Sequence, residues 1–335
     1  MNKIQDIFEF ITYNAKYFRF TDITKAFLGL AKISLEVRTG LRVPFIDLNK
    51  VYRIRMKNGY NIDLPLTSLI DLMELIKSRK SKIKILNNYI LVDEKDKIPI
   101  RYIKTGLYAY LKGFRYNDEC NVWEYKDDSM YVKFSEINYT GIEIFSDKIY
   151  NIDKVSGDVL DIGGNIGDSA IYFAKKGAKK VILVEPLPNI VKVAKRNIDI
   201  NNLSEKIVII NAALGIKNSI LDIPADIDVE DSYYFSTNSE DKYKDSHLTK
   251  VPVITMKDVF REINEPYLLK MDCEGCEYDV IPYSYDLIKM FKIIFMELHG
   301  KKSKRFQILK ILEHDFDCKI LHSSAITTMI KCEHK

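Results

Sequence analysis

The chain has 335 residues, 47% of them hydrophobic and 29% charged, with a formal net charge of +4. Enough apolar residues are present for a buried core, which excludes global disorder, and no apolar run approaches the roughly 18 residues of a membrane-spanning helix. Five cysteines (120, 273, 276, 318 and 332) are too few and too irregularly spaced for a disulfide framework. The opening MNKIQDIFEFITYNAKYF carries acids and no small-residue cleavage site, so it does not read as a secretory signal. A soluble cytoplasmic protein is the expectation.

Charge is unevenly spread. Residues 1–125 hold 22 Lys and Arg against 14 Asp and Glu, while the remainder holds 29 against 33. A solvated Lys-rich surface is the simpler account of the basic front, and an anionic partner is the alternative.

In chain order, IQDIFEFITYNAKYF and DITKAFLGLAKISLEV carry apolar residues at helical spacing. VYRIRMKNGYNIDLP predicts a hairpin turning at Asn58-Gly59. SLIDLMELIKSR predicts a helix capped by Ser68. IKILNNYILV and KIPIRYI follow as short strands, and KTGLYAYLKGFRYN fits either state. From about residue 126 strands and helices alternate: VLDIG, DSAIYFAKKG, KVILVEP, NIVKVAKRNIDINN, KIVIINAAL, VPVIT, MKDVFREI, YLLKMD, DVIPYSYDLIKMF and KIIFMEL. Continuous apolar strands between amphipathic helices predict a parallel α/β sheet covered on both faces. DCKILHSS and ITTMIKCEH predict an antiparallel hairpin that finishes it. The expected division is an accessory or cap region over 1–125, helping to choose the acceptor, and a catalytic domain over 126–335.

The most informative stretch is VLDIGGNIGDSAIYFA, residues 159–174. A buried strand runs through Asp161 into Gly163, Gly164, Asn165 and Gly167, then directly into a helix. Glycines let the backbone approach a ligand there, and a helix start offers unpaired N–H groups. The spacing departs from the Gly-x-Gly-x-x-Gly of nicotinamide sites. An acid two residues before the first glycine faces a cation rather than a pyrophosphate, which points to S-adenosylmethionine, with its ammonium and sulfonium. Glu185 ends the second strand 18 residues after Gly167, where ribose hydroxyls are held in nucleotide-binding sheets. Asn211 ends the third strand and either meets an adenine edge or forms a turn.

These stretches, together with NAALG, LLKMDCEGCEYDVI and MELHG in that order, resemble class I S-adenosylmethionine-dependent methyltransferases and closely resemble the FkbM family. The likeness spans about residues 130–300. It implies S-adenosylmethionine, O-methylation of a hydroxyl on a sugar, glycolipid or other small molecule, and a doubly wound seven-stranded sheet, mostly parallel with a C-terminal antiparallel hairpin.

Asp272 and Glu274 follow the fourth strand, and His299 follows the fifth, so all three are candidates for the base that deprotonates the hydroxyl. Glu297 points the same way. Carboxylates here suit a hydroxyl nucleophile, whereas methylation of exocyclic base nitrogens or Gln side chains commonly uses Asn-Pro-Pro-Tyr. No metal is expected; a divalent ion on Asp272, Glu274 and Glu297 is the lesser alternative. Lys270 reads as a strand residue paired with an acid. Cys273 and Cys276 read as structural thiols, ahead of a zinc site or a disulfide. The competing function is RNA methylation, which the basic front would serve, although no RNA-binding module is recognisable. The sequence leaves the oligomeric state open.

Overall fold

A computed structural model describes residues 51–55, 61–77, 81–86, 88–232, 247–324 and 326–335. The two helices expected between residues 4 and 37 and the Asn58-Gly59 turn lie outside the described residues. The chain divides into two compact units, Met1–Asn121 and Val122–Lys335.

In the first unit, β1 (Val51–Arg55) and β2 (Asn61–Pro65) pair antiparallel, with Val51 opposite Pro65. α1 (Leu66–Lys77) begins directly after Pro65. Ser68 therefore lies inside the helix rather than capping it, and its Oγ donates to the Lys104 carbonyl at 3.3 Å. β3 (Ile83–Ile85), β4 (Tyr89–Val92) and β5 (Asp96–Pro99) form an antiparallel meander. The ambiguous stretch resolves into α2 (Gly106–Leu111) and β6 (Arg115–Asn117). Leu64, Leu72, Ile90, Val92, Ile98 and Phe114 make this unit's core.

The second unit opens with the hairpin β7 (Val122–Lys126) and β8 (Tyr131–Phe134), then α3 (Tyr139–Ser146). Its main sheet draws on β9 (Asp158–Ile162), β10 (Val181–Val184), β11 (Ile207–Ile210), β15 (Pro266–Met271), β16 (Ile293–His299), β17 (Phe316–Ser323) and β18 (Thr327–His334). The order is β11-β10-β9-β15-β16-β18-β17, with the first five parallel and the last two antiparallel. Crossovers run through α4 (Asp168–Lys175), α5 (Pro188–Ile200), α7 (Met256–Phe260) and α8 (Glu277–Ile288). α9 (Lys302–Leu312) leads into the terminal hairpin.

One expectation fails. KIVIINAAL is not a single strand: β11 ends at Ile210, and a new strand starts at Ala213. β12 (Ala213–Gly215), β13 (Ser219–Pro224) and β14 (Leu248–Thr255) form a separate three-stranded sheet, ordered β12-β14-β13. The chain leaves the main sheet after Ile210, because Asn211 turns back to bond the loop after β10. A short α6 (Val229–Ser232) lies between β13 and β14.

Strand alternation sorts the two faces. Leu160, Ile162, Leu269, Met271, Ile294 and Met296 bury against α7, α8 and α9. The alternate positions include Asp161, Lys270 and Phe295, and Phe295 stacks on Phe173 of α4 and meets Tyr150 edge-on. Two charged residues thus sit on an otherwise aromatic and aliphatic face. Among the described residues, no helix is long and apolar enough to cross a membrane.

Candidate active site

The C-terminal ends of β9, β10, β15 and β16 open into one cavity of about 650 Å³, whose lining among the described residues comes from the second unit. This is the rim where open parallel sheets hold ligands. Gly163, Asn165, Asp168 and Glu185 line it from β9, β10 and the start of α4, and Asp272, Glu274, Glu297 and His299 line it from the ends of β15 and β16.

The glycine loop takes its shape from backbone conformations that side chains resist. Gly163 has φ +73° and Gly167 has φ +82°, and Gly167 caps α4 in the left-handed region. The Gly163 and Gly164 amides both donate to the Val184 carbonyl. Asn165 itself adopts φ +42°, and its side chain is held between Asn138 and Ser232.

Asp161 is 0% exposed. Its Oδ2 accepts from Ser169 Oγ at 2.6 Å, and its Oδ1 is in ionic contact with Lys270 Nζ at 3.3 Å. Lys270 also donates to the carbonyls of Gly163 at 2.6 Å and Ile162 at 3.4 Å. Burial works against the lysine's charge, but Asp161 and the acids beyond it outweigh that and hold its pKa above the ordinary value. Asp161 does not line the cavity. The sequence reading set Asp161 against the cofactor's cation; in the structure its carboxylate meets Lys270 and Ser169. Asp161 and Lys270 are register partners on adjacent strands, so the protein supplies its own cation.

Glu185 stands at the tip of β10. One oxygen accepts from the Asn165 amide and the other from the Leu187 amide, both at 3.0 Å. A carboxylate offers about four acceptor sites, so each oxygen keeps capacity for a ligand hydroxyl. Burial pushes its pKa up to about 7, against the pull of those two amides. Asn211 is placed differently from the adenine-edge reading. Its amide nitrogen donates to the carbonyls of Glu185 at 2.9 Å and Pro186 at 2.8 Å, and it is not among the cavity-lining residues. It fixes the loop that carries Glu185; Ala212, Ala213 and Leu214 after it reach the cavity.

The turn 272–276 is built around Glu277, whose carboxylate accepts from the Cys273 amide at 2.9 Å and the Gly275 amide at 2.8 Å. Glu274 is thereby turned into the left-handed region, at φ +55°. His299 Nε2 lies 3.3 Å from Glu274 Oε1 and 3.6 Å from Glu297 Oε1, and its Nδ1 lies 3.9 Å from Asp272 Oδ1. The Tyr278 hydroxyl donates to the His299 carbonyl and pins this strand end to α8. Burial, with like charge from Asp272, Glu277 and Glu297, raises Glu274 to about 8. Burial and then Asp272 raise Glu297 to about 7. Burial lowers His299, opposed by Asp272 and helped by Lys270 and Arg305. Near neutral pH the pair Glu274–His299 therefore holds its proton on the glutamic acid, leaving a neutral imidazole. Asp272, Glu274 and His299 also offer ligand atoms within 4.8 Å of one another, so the same groups have the reach to hold a metal ion.

The cysteines depart from expectation. Cys273 and Cys276 are joined by a disulfide across the acidic turn, with Cα atoms 5.5 Å apart. Cys318 and Cys332 are joined across the terminal hairpin, with Cα atoms 4.0 Å apart. The second pair follows from register, because Cys318 faces Cys332 in the β17–β18 ladder, and linear spacing does not reveal register. Cys120 is free and exposed. Thiol labelling of the denatured, unreduced protein is expected to modify Cys120 alone, and all five cysteines after reduction. Three labelled thiols before reduction would break one of these pairings.

The sequence reading missed Asp168, Tyr150 and Glu277. Tyr150 lines the cavity, yet it precedes the first sheet strand and carried no motif. Asp168 was legible only as an acid in a helix first turn. Glu277 was legible only as part of the acidic turn.

Sheet order, glycine loop and strand-end cavity define a Rossmann-like methyltransferase fold. Residues 161–321, a little under half of the chain, match the family described as the methyltransferase FkbM domain. A curated protein of Methanocaldococcus jannaschii, provisionally named a protein N5-glutamine methyltransferase, is 45% identical over 53 residues, 16% of this chain and 27% of that protein. The solved methyltransferase FkbM of Methylobacillus flagellatus is 16% identical at a TM-score of 0.38, over 54% of this chain and 44% of that one. TrmK of M. capricolum, in complex with S-adenosyl-homocysteine, is 10% identical at a TM-score of 0.33, over 56% of this chain and 67% of that one. The chain thus spans about a quarter of the curated relative and less than half of the FkbM structure.

Proposed function

We propose that the second unit binds S-adenosylmethionine in the strand-end cavity and transfers its methyl group to a hydroxyl of a glycan, glycolipid or other small molecule. The observation that carries this reading is the set of carboxyl groups lining the cavity, with no free cation among the described lining residues. Asp168, Glu185, Asp272, Glu274 and Glu297 line it, and the cavity-lining Lys270 is already committed to Asp161 and two carbonyls. Such a cavity fits a ligand bearing an ammonium and a sulfonium and disfavours a pyrophosphate.

The cofactor, when bound, supplies a methyl group activated on a cationic sulfur. The protein's part is to hold the acceptor oxygen in line with it, which by itself supplies much of the rate, and to remove the hydroxyl proton as the oxygen–carbon bond forms and the carbon–sulfur bond breaks. Neutral His299, backed by Glu274, Glu297 and Asp272, is placed to take that proton. The carboxyl groups of Asp272, Glu274 and Glu297 offer no cation to pair with phosphates, which favours a neutral hydroxyl compound over RNA. We assign the first unit to acceptor choice, because its sequence carries no cofactor motif of its own.

The test uses labelled S-adenosylmethionine and a host extract separated into glycan, lipid, RNA and protein fractions. Label in the glycan or lipid fraction supports the reading, and label confined to RNA or protein overturns it. Calorimetry tests the cofactor directly. Glu185→Ala is expected to weaken S-adenosylmethionine binding tenfold or more, since a lost charge-assisted hydrogen bond costs about 1.5–3 kcal/mol. Unchanged affinity would remove Glu185 from the site.

A further inference from the structure

Asp168 is 2% exposed and lines the cavity, yet its Oδ2 has no hydrogen-bond partner. Its other oxygen accepts from the Ser169 amide at 2.8 Å. A buried carboxylate oxygen left unpaired carries a desolvation cost, so such an oxygen on a residue of the cavity lining points to a ligand donor. The neighbourhood says what kind. The cation within reach, Lys270, is in contact with Asp161 and donates to the Ile162 and Gly163 carbonyls. Burial raises the Asp168 pKa to about 7 despite the pull of Lys270 and of the Ser169 amide, with the Asp161 charge adding to the rise. The start of α4 favours the ionised form. Oδ2 also lies beside Gly141 of α3, where an added Cβ would sit 3.1 Å away, so the carboxylate is held against the cavity wall by close packing.

We propose that Asp168, not Asp161, receives the α-ammonium group of the cofactor. This rests on the cofactor reading above and deepens it. The two acids divide the work within one loop: Asp161 neutralises the strand lysine inside the sheet, and Asp168, in the cavity lining, keeps one oxygen without a protein partner for a cationic donor.

The experiment compares S-adenosylhomocysteine with its analogue lacking the amino group, by calorimetry on wild type and Asp168→Asn. The product is used because it keeps the ammonium and lacks the sulfonium. Wild type should prefer the amine-bearing ligand at least tenfold, and Asp168→Asn should lose most of that preference while binding the analogue as wild type does. Thermal melting adds a second readout. The folded protein holds a proton on Asp168 up to about pH 7, whereas the unfolded chain releases it near the ordinary 3.8. The ionised form therefore lowers stability as pH rises through 7, and Asp168→Asn should melt at or above the wild-type temperature at pH 8. Equal binding of the two ligands by wild type would overturn the proposal, a measurement that does not require the variant to fold. An equal loss for both ligands in Asp168→Asn, with a lowered melting temperature, would also overturn it by making Asp168 structural. If wild type binds neither ligand, the cofactor reading itself fails.

Discussion

Gly163→Ala is expected to abolish cofactor binding and to destabilise the second unit by roughly 3 kcal/mol or more, since an overpacked core contact costs about 1–3 kcal/mol and a strained backbone about 1–3 kcal/mol in addition. Two independent observations converge on this glycine. Its φ of +73° is one that a side-chain-bearing residue resists, and an added Cβ would overlap the carbonyl oxygen of Asp272. That carbonyl is backbone and cannot swing aside. The β9 loop and the acidic turn after β15 meet here, with the Asp272 amide donating to the Ile162 carbonyl at 3.0 Å, so separating them disturbs both parts of the cavity lining. Gly300 provides the control. Its φ is +90°, but no atom lies within 4 Å of an added Cβ, so Gly300→Ala should incur the backbone strain alone, about 1 kcal/mol. Chemical denaturation of both variants checks this, and equal losses would refute the steric argument at Gly163.

Substitution at the acidic turn should strike turnover instead. Asp272→Asn, Glu274→Gln and His299→Ala are each expected to lower kcat more than they weaken cofactor binding. The residue that takes the proton should lose roughly 10²–10⁴-fold. The pH–rate profile distinguishes the candidates. A base acts in its deprotonated form. Burial holds His299 below its ordinary 6.5, so a histidine base gives a limb rising with pH below about 6.5 and a plateau above it. Glu274 is raised to about 8, so a glutamate base gives a limb that climbs through about pH 8. The limb should vanish in the variant of the residue responsible. Wild-type turnover in all three variants would remove this cluster from the chemistry. Loss of activity in EDTA with recovery in Mg²⁺ would recast the same side chains as metal ligands.

The main sheet was legible in the sequence because its signals are local. Uninterrupted apolar runs such as VILV at 181–184, separated by amphipathic helices, have few other ways to bury themselves than a covered parallel sheet. The loop Gly163–Gly167 was legible for a related reason: only glycine adopts its left-handed turns without strain. The hairpin of β17 and β18 was legible as two strands, but the Cys318–Cys332 pairing was not, because it depends on which residue faces which across the ladder.

What the sequence by itself determined was therefore the α/β class, the family resemblance, the strand ends that carry the site, and the clustering of Asp272, Glu274 and His299 at one rim. Tertiary structure alone decided how the charges are shared. Asp161 and Asp168 are both acids flanking one glycine loop, and nothing local says which one the lysine takes. Lys270, 107 residues beyond Gly163 in the chain, enters from the next strand and pairs with Asp161. Asn211 went to the loop rather than to a ligand for the same reason, since two carbonyls brought back to it by the fold claim its amide. Burial and partnership are properties of the packed chain, and they set the charge state and the free valence of each polar group.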